Sequence, residues 1–144
     1  MKESFEQGFE ITVNLEGNYS CDPRDPGGET KFGVCKRYHP NLDIENLTLG
    51  QAKEIYYKEY WVPAGCDAQP FPMDICLFDS QVNPQNDPLW PGGGNQEIMN
   101  FHPENWQEYM LLRMVRYMRN SKPEYVKGHI FRVLRMYQKI KKIV

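Results

Sequence analysis

Glu16 stands at the end of an apolar periodic stretch and is followed at once by Gly17-Asn18-Tyr19. A carboxylate at the negative end of a helix is disfavoured as an anion, and apolar neighbours such as Leu15 and Tyr19 push the same way by excluding water. A carboxyl that keeps its proton near neutral pH is what a general acid needs. Asp25 follows in Asp25-Pro26-Gly27-Gly28-Glu29-Thr30, where two glycines let the chain turn sharply and approach a ligand closely. Thr30 opens a short β-prone stretch, Thr30-Lys31-Phe32-Gly33-Val34, and brings a hydroxyl able to hold a water or a sugar oxygen. One acid to protonate a leaving oxygen, and a second polar group to orient water or steady positive charge, is the equipment of glycoside hydrolysis. Each residue also has a plain structural reading: Glu16 as a solvated helix-end carboxylate, Asp25 as a turn former, Thr30 as a strand residue.

The elements that must position these side chains are mostly helices. Phe5, Phe9 and Val13 fall four apart and predict a helix over 3–16, stopped by Gly17 as glycine stops helices just past their ends. Residues 17–47, rich in Gly, Pro, Asp and Asn, read as loop with one small hairpin or isolated strand. Thr48-Leu49-Gly50-Gln51 has the form of a capping box; the helix it opens carries Ala52, Ile55, Tyr56 and Tyr60 on one face and ends near Trp61, before Pro63. Another helix is expected over 72–82, with Ile75, Phe78 and Val82 on one face and Pro84 ending it. The stretch 83–103 is dense in proline and glycine and reads as loop, broken by a short helix near 95–100. Pro103 then opens a helix with a buried stripe of Trp106, Met110, Met114, Tyr117 and Met118. Ser121-Lys122-Pro123-Glu124 reads as a second capping box, opening a last helix with Val126, Ile130, Val133, Leu134 and Tyr137 at helical spacing. The expected fold class is mainly α: a single domain over 1–144 of five or six helices, with a small β hairpin or strand near residues 29–35.

Composition narrows the function classes. At 144 residues, 40% apolar and 25% charged, the chain is an ordinary globular domain, which excludes a disordered, collagen-like or coiled-coil rod. No apolar run approaches the length that spans a bilayer. The opening Met1-Lys2-Glu3-Ser4-Phe5-Glu6 carries acids where a secretory signal needs an apolar core, so synthesis in the cytoplasm without a Sec signal is expected. Cys21, Cys35, Cys66 and Cys76 fit no metal spacing with His39, His102 and His129, and are expected to be free thiols; no metal or cofactor is implied. The net charge of −2 conceals an asymmetry: residues 111–144 hold ten Lys/Arg against the single acid Glu124, and residues 1–110 hold seven against eighteen. A basic helix pair over 103–144 suits an anionic polymer or membrane surface, or simply packs against an acidic body.

Leu15-Glu16-Gly17-Asn18-Tyr19-Ser20, with Asp22-Pro23, Asp25, Gly27-Gly28, Thr30, Phe32 and Gly33, closely resembles the Glu-Gly-Gly-Tyr … Asp-x-Gly-Gly-x-Thr-x-x-Gly signature of glycoside hydrolase family 108, whose members are lysozyme-like N-acetylmuramidases. The resemblance continues in Ile55-Tyr56 … Tyr60-Trp61, Cys66-Asp67 … Pro70, Phe78-Asp79 … Val82-Asn83, and Gly128-His129-Ile130-Phe131-Arg132-Val133. It implies a lysozyme-like domain that cleaves the β-1,4 bond between N-acetylmuramic acid and N-acetylglucosamine in peptidoglycan. Glu16 takes the catalytic-acid position, Asp25 and Thr30 handle water or the developing oxocarbenium, and Tyr19, Asp79 and Asn83 are cleft residues binding sugar or supporting Glu16. Asp79 and Asn83, four apart, also read as a structural polar pair. The sequence departs from the family at Asn18, at Pro84-Gln85-Asn86, and at His129, where the family commonly has Trp. An endolysin-like enzyme would reach the periplasm or wall through a holin or secretion machinery. Two other readings are a non-catalytic peptidoglycan-binding module and a nucleic-acid binder using Arg113, Arg116, Arg119, Arg132, Arg135 and Lys139. No helix-turn-helix turn or aromatic RNA-binding motif accompanies those cations, so nucleic acid is not an expected partner.

Overall fold

Phe5 and Phe9, one turn apart, bury one face of α1 (Glu3–Glu16), and no part of Phe5 reaches solvent. The computed structural model describes residues 2–16, 18–83 and 95–144; at 14–16 and 95–97 it describes the backbone alone. The partner of α1 is α3 (Met73–Val82), where every residue from Met73 to Ser80 is buried, so this helix has no solvent face along that length. Between them lies an aromatic cluster: Phe5 meets Tyr57, Trp61 and Phe78 edge-on or tilted at ring distances of 5.0–5.6 Å, and Phe9 meets Tyr56 at 5.5 Å.

Tyr56 and Trp61 come from a single helical run. α2 (Leu49–Tyr56) begins with the expected capping box: Thr48 Oγ1 accepts from the Gln51 amide while the Gln51 side chain accepts from the Thr48 amide. The run continues as a π-helical turn over Tyr57–Trp61, in which the Val62 amide reaches back five residues to the Tyr57 carbonyl at 3.0 Å. The wider turn brings Trp61 fully into the core beside Phe5 and leaves Tyr60 stacked on Tyr56. A short 3₁₀ turn, Cys66–Ala68, follows and anchors the indole: Trp61 Nε1 donates to Asp67 Oδ1 at 3.0 Å.

The hairpin is two residues deep on each side. β1 (Thr30–Lys31) pairs antiparallel with β2 (Val34–Cys35), and the loop is Phe32-Gly33, both at positive φ (50° and 75°). That is the mirror-image turn whose twist suits a hairpin. A non-glycine residue at its first position carries strain; the Tyr56 hydroxyl donates to the Phe32 carbonyl at 2.9 Å and ties the turn to α2.

The C-terminal layer holds α4 (Asn95–Asn100), α5 (Trp106–Asn120) and α6 (Pro123–Ile140), with α5 and α6 packed on each other. Here the structure corrects the sequence reading in three places. α5 starts at Trp106 rather than Pro103, capped by Asn105, whose side chain accepts from the Glu108 amide at 2.9 Å. Ser121 makes no capping box, since its hydroxyl is bonded to His129 Nδ1 at 2.7 Å and Lys122 is the N-cap. Met118 is 65% exposed, because Arg113 and Arg116 take inward positions on α5 instead, and on α6 Leu134 is 39% exposed. All four cysteines are free thiols; Cys66 and Cys76 are buried, and burial pushes each up to about 12. Among the described residues no helix is long and apolar enough to cross a membrane, and no three His, Cys, Asp or Glu side chains gather as a metal would require.

Candidate active site

The backbone of α1 ends at Glu16, as the periodicity predicts; the Glu16 side chain and Gly17 lie outside the described residues, as does Pro84-Gln85-Asn86. From Asn18 onward the chain lies against the hairpin. Ser20 and Thr30 exchange backbone hydrogen bonds, both at 2.8 Å, in an isolated antiparallel bridge. The strand bearing Thr30 is thereby fixed four residues from the end of α1, and Thr30 itself is half-buried, its hydroxyl 3.4 Å from the Gly28 carbonyl.

Asp25 is held by backbone. Its Oδ1 accepts from the Gly27 amide at 2.8 Å, its carbonyl accepts from Gly28 at 3.0 Å, and its own amide donates to the Asp22 carbonyl at 2.9 Å. Both glycines suit the turn. A Cβ on Gly27 would sit 3.2 Å from Asp25 Oδ1, and Gly28 has φ of +70°. Asp22 is itself tied to Arg24, whose hydrogen bonds hold the Asp22 carboxyl below its usual range. With Oδ1 pinned, Asp25 remains exposed and its Oδ2 has no protein partner among the described residues. A carboxylate oriented through one oxygen and open through the other can take a proton from water or face a positive centre.

Tyr19 is 39% exposed and donates to Glu29 Oε1 at 3.2 Å. Partial loss of solvent and the acceptor carboxylate push its phenol up to about 12, so it stays a neutral donor. Its partly exposed ring is tied by that hydrogen bond to the residue before Thr30.

Asp79 sits elsewhere than a sugar ligand would. It is 0% exposed; Arg113 Nη1 donates to Oδ2 at 2.6 Å and Arg132 Nη2 to Oδ1 at 3.0 Å. Burial alone would raise this carboxyl, but the two guanidiniums outweigh it and hold the group below its usual range. Asn83 closes α3, its amide and Nδ2 both turned back to the Asp79 carbonyl at 3.0 and 3.3 Å. Tyr117 donates to the Asn83 carbonyl at 2.9 Å and accepts from Arg113 at 3.2 Å. Asn83 is half-buried at the end of α3, whereas Asp79 has the structural arrangement and no surface to offer a sugar. It bears on the site from behind: Thr12, fully buried one turn before Glu16 on α1, lies 3.5 Å from Asp79 Oδ1. His129 packs on Tyr117 with ring centroids 4.8 Å apart, and burial plus the charges of Arg113 and Arg132 depress it.

The sequence does not mark Thr12 as a candidate, and it offers Arg113 and Arg132 only as surface cations for nucleic acid. A partial signal lies in Ile75-Cys76-Leu77-Phe78-Asp79, where an aspartate inside an apolar helix needs a buried partner, and Arg113 falls on the inward stripe between Met110 and Tyr117.

A family model described as Glycosyl hydrolase 108 matches residues 9–84, more than half of the chain and all of the segment from Glu16 to Asn83. The chain belongs to this family. Membership places it among the glycoside hydrolases. The solved structure of SagA from Brucella abortus is similar over 99% of this chain and 96% of that one, with a TM-score of 0.71 at 18% identity. At that identity the likeness speaks for the fold, which is mainly α and lysozyme-like, and it extends through α4, α5 and α6 beyond the family match. No curated protein matches the chain.

Proposed function

We propose that the chain is a peptidoglycan hydrolase, an N-acetylmuramidase cleaving the β-1,4 bond between N-acetylmuramic acid and N-acetylglucosamine. The observation that carries this reading is the family match over 9–84, within which Glu16, Asp25 and Thr30 all fall. Glu16 gives its proton to the glycosidic oxygen as the bond to the anomeric carbon breaks. Water adds at that carbon, and its proton passes to Asp25 through the open Oδ2, steadied by the Thr30 hydroxyl. Tyr19 and Asn83 flank the glycan. Asp79 supports the last turn of α1 through Thr12, with no contact to sugar. The enzyme is made in the cytoplasm and acts on the wall after release through a holin or a secretion machinery.

Digestion of purified sacculi followed by mass analysis of the muropeptides tests the reading. New reducing ends are expected on muramic acid, and Glu16→Gln is expected to cut the rate by on the order of 10²-fold or more with the fold intact. Reducing ends on N-acetylglucosamine would replace the muramidase assignment with a glucosaminidase, and a fully active Glu16→Gln variant would remove Glu16 from the mechanism.

A further inference from the structure

α6 turns its apolar stripe inward through Val133, Met136 and Ile140, yet its outward face is not simply polar. At 100° per residue, Lys127, Phe131, Leu134, Arg135 and Gln138 share that face, and Lys141 and Lys142 extend it through the closing turn. Phe131 is 44% exposed and lies under the Lys127 ammonium, 5.9 Å from ring centroid to Nζ. Lys127, Arg135, Lys141 and Lys142 are all exposed, and none is ion-paired among the described residues. Glu124 is the only acid on the helix. A face for a purely ionic polymer needs cations; it gains nothing from an aromatic and a leucine held open to water among them. Cations flanking exposed apolar side chains match a bilayer interface, where ammonium groups meet phosphates and the rings and methyls enter the acyl boundary.

We propose that the outer face of α6 docks the protein onto membrane surfaces bearing anionic phospholipid headgroups. The face lies outside the segment matched by the family and is independent of the glycan chemistry. Four exposed cations supply the attraction, Phe131 and Leu134 the insertion, and the inward stripe keeps the helix on its own domain, so the contact is peripheral and reversible.

Co-sedimentation of the full chain with vesicles tests it, comparing phosphatidylcholine alone with phosphatidylcholine mixed with phosphatidylglycerol. Binding is expected only to the mixed vesicles and to weaken as salt rises. Lys127→Gln with Arg135→Gln is expected to lower the partition coefficient roughly thirtyfold, as two surface charges would. Phe131→Ser with Leu134→Ser is expected to weaken binding while leaving its salt dependence, and both pairs are expected to pellet with purified sacculi as the parent does. Equal binding to both vesicle types would overturn the proposal. So would double variants that bind vesicles like the parent, or that lose sacculus binding instead, which would make the face a wall contact. Loss of vesicle binding in Leu111→Ser with Val115→Ser alone would move the surface to α5.

Discussion

In the loop between α1 and β1 the backbone does the holding, whereas between α3, α5 and α6 charge does. Asp25 is exposed, its orientation set by the Gly27 and Gly28 amides. Asp79 is out of water entirely, and its two oxygens belong to Arg113 and Arg132. The difference separates two demands on a carboxylate. One that must exchange protons with water needs an open oxygen and a neutral means of positioning. One that must never move can be locked by guanidiniums, provided that none of the three is removed alone.

The largest expected effect breaks the locked end. Asp79→Ala strands Arg113 without its carboxylate in the core, and removing one partner of a buried pair costs about 3–5 kcal/mol. A fall in melting temperature of roughly 10 °C follows for a chain of this size. Replacing Asp79 and Arg113 together by Leu and Met removes the most deeply buried stranded charge, leaves the partly exposed Arg132, and is expected to recover part of the loss. If the double variant melts no higher than Asp79→Ala, the cluster does not act as a compensated charge pair. The open end gives the reverse pattern. Asp25→Ala removes a side-chain acceptor at a solvated turn and is expected to leave the melting temperature nearly unchanged, while glycan cleavage falls on the order of 10²-fold. Unaltered cleavage would make Asp25 a turn former and nothing more.

The two ends were not equally legible in the sequence. Glycine, aspartate and a following β-prone stretch act locally, so the turn at 25–28 and the hairpin at 30–35 could be read residue by residue, as could the capping box at Thr48. The locked end depends on partners separated by 34 and 53 positions, which no local pattern links. Periodicity then misleads in a specific way. Apolar spacing assigns Met118 to the inside of α5, but Arg113, the partner of buried Asp79, and Arg116 occupy the inward positions. Leu111, Val115 and Met118 are displaced to the solvent side, so part of the helix runs against its own amphipathicity. The Ser121 box fails for a similar reason, since its hydroxyl is drawn to His129, eight residues away.

The smallest effect sharpens what a cation contributes. Asp74 is buried five residues before Asp79 on the same helix, but hydroxyl and amide groups are its partners: Ser4 Oγ donates to Oδ2 at 2.6 Å and the Ile75 amide to Oδ1 at 2.9 Å. Burial outweighs them, and this carboxyl is raised where Asp79 is lowered. The two therefore give opposite slopes. For Asp79 the unfolded chain binds the proton more readily, so its contribution is present above the ordinary carboxylate value of about 3.9 and is lost as pH falls through the depressed one. For Asp74 the folded chain binds it more readily, so stability declines as pH rises from about 3.9 through the raised value. Asp74→Asn, which keeps the size and an acceptor for the Ile75 amide, is expected to match the parent at the acid end. It is expected to gain up to about 1 kcal/mol over it toward neutrality. Denaturant melts across that range check this. If the difference between variant and parent stays constant with pH, burial does not govern Asp74, and the contrast along α3 reduces to Asp79 and its arginines.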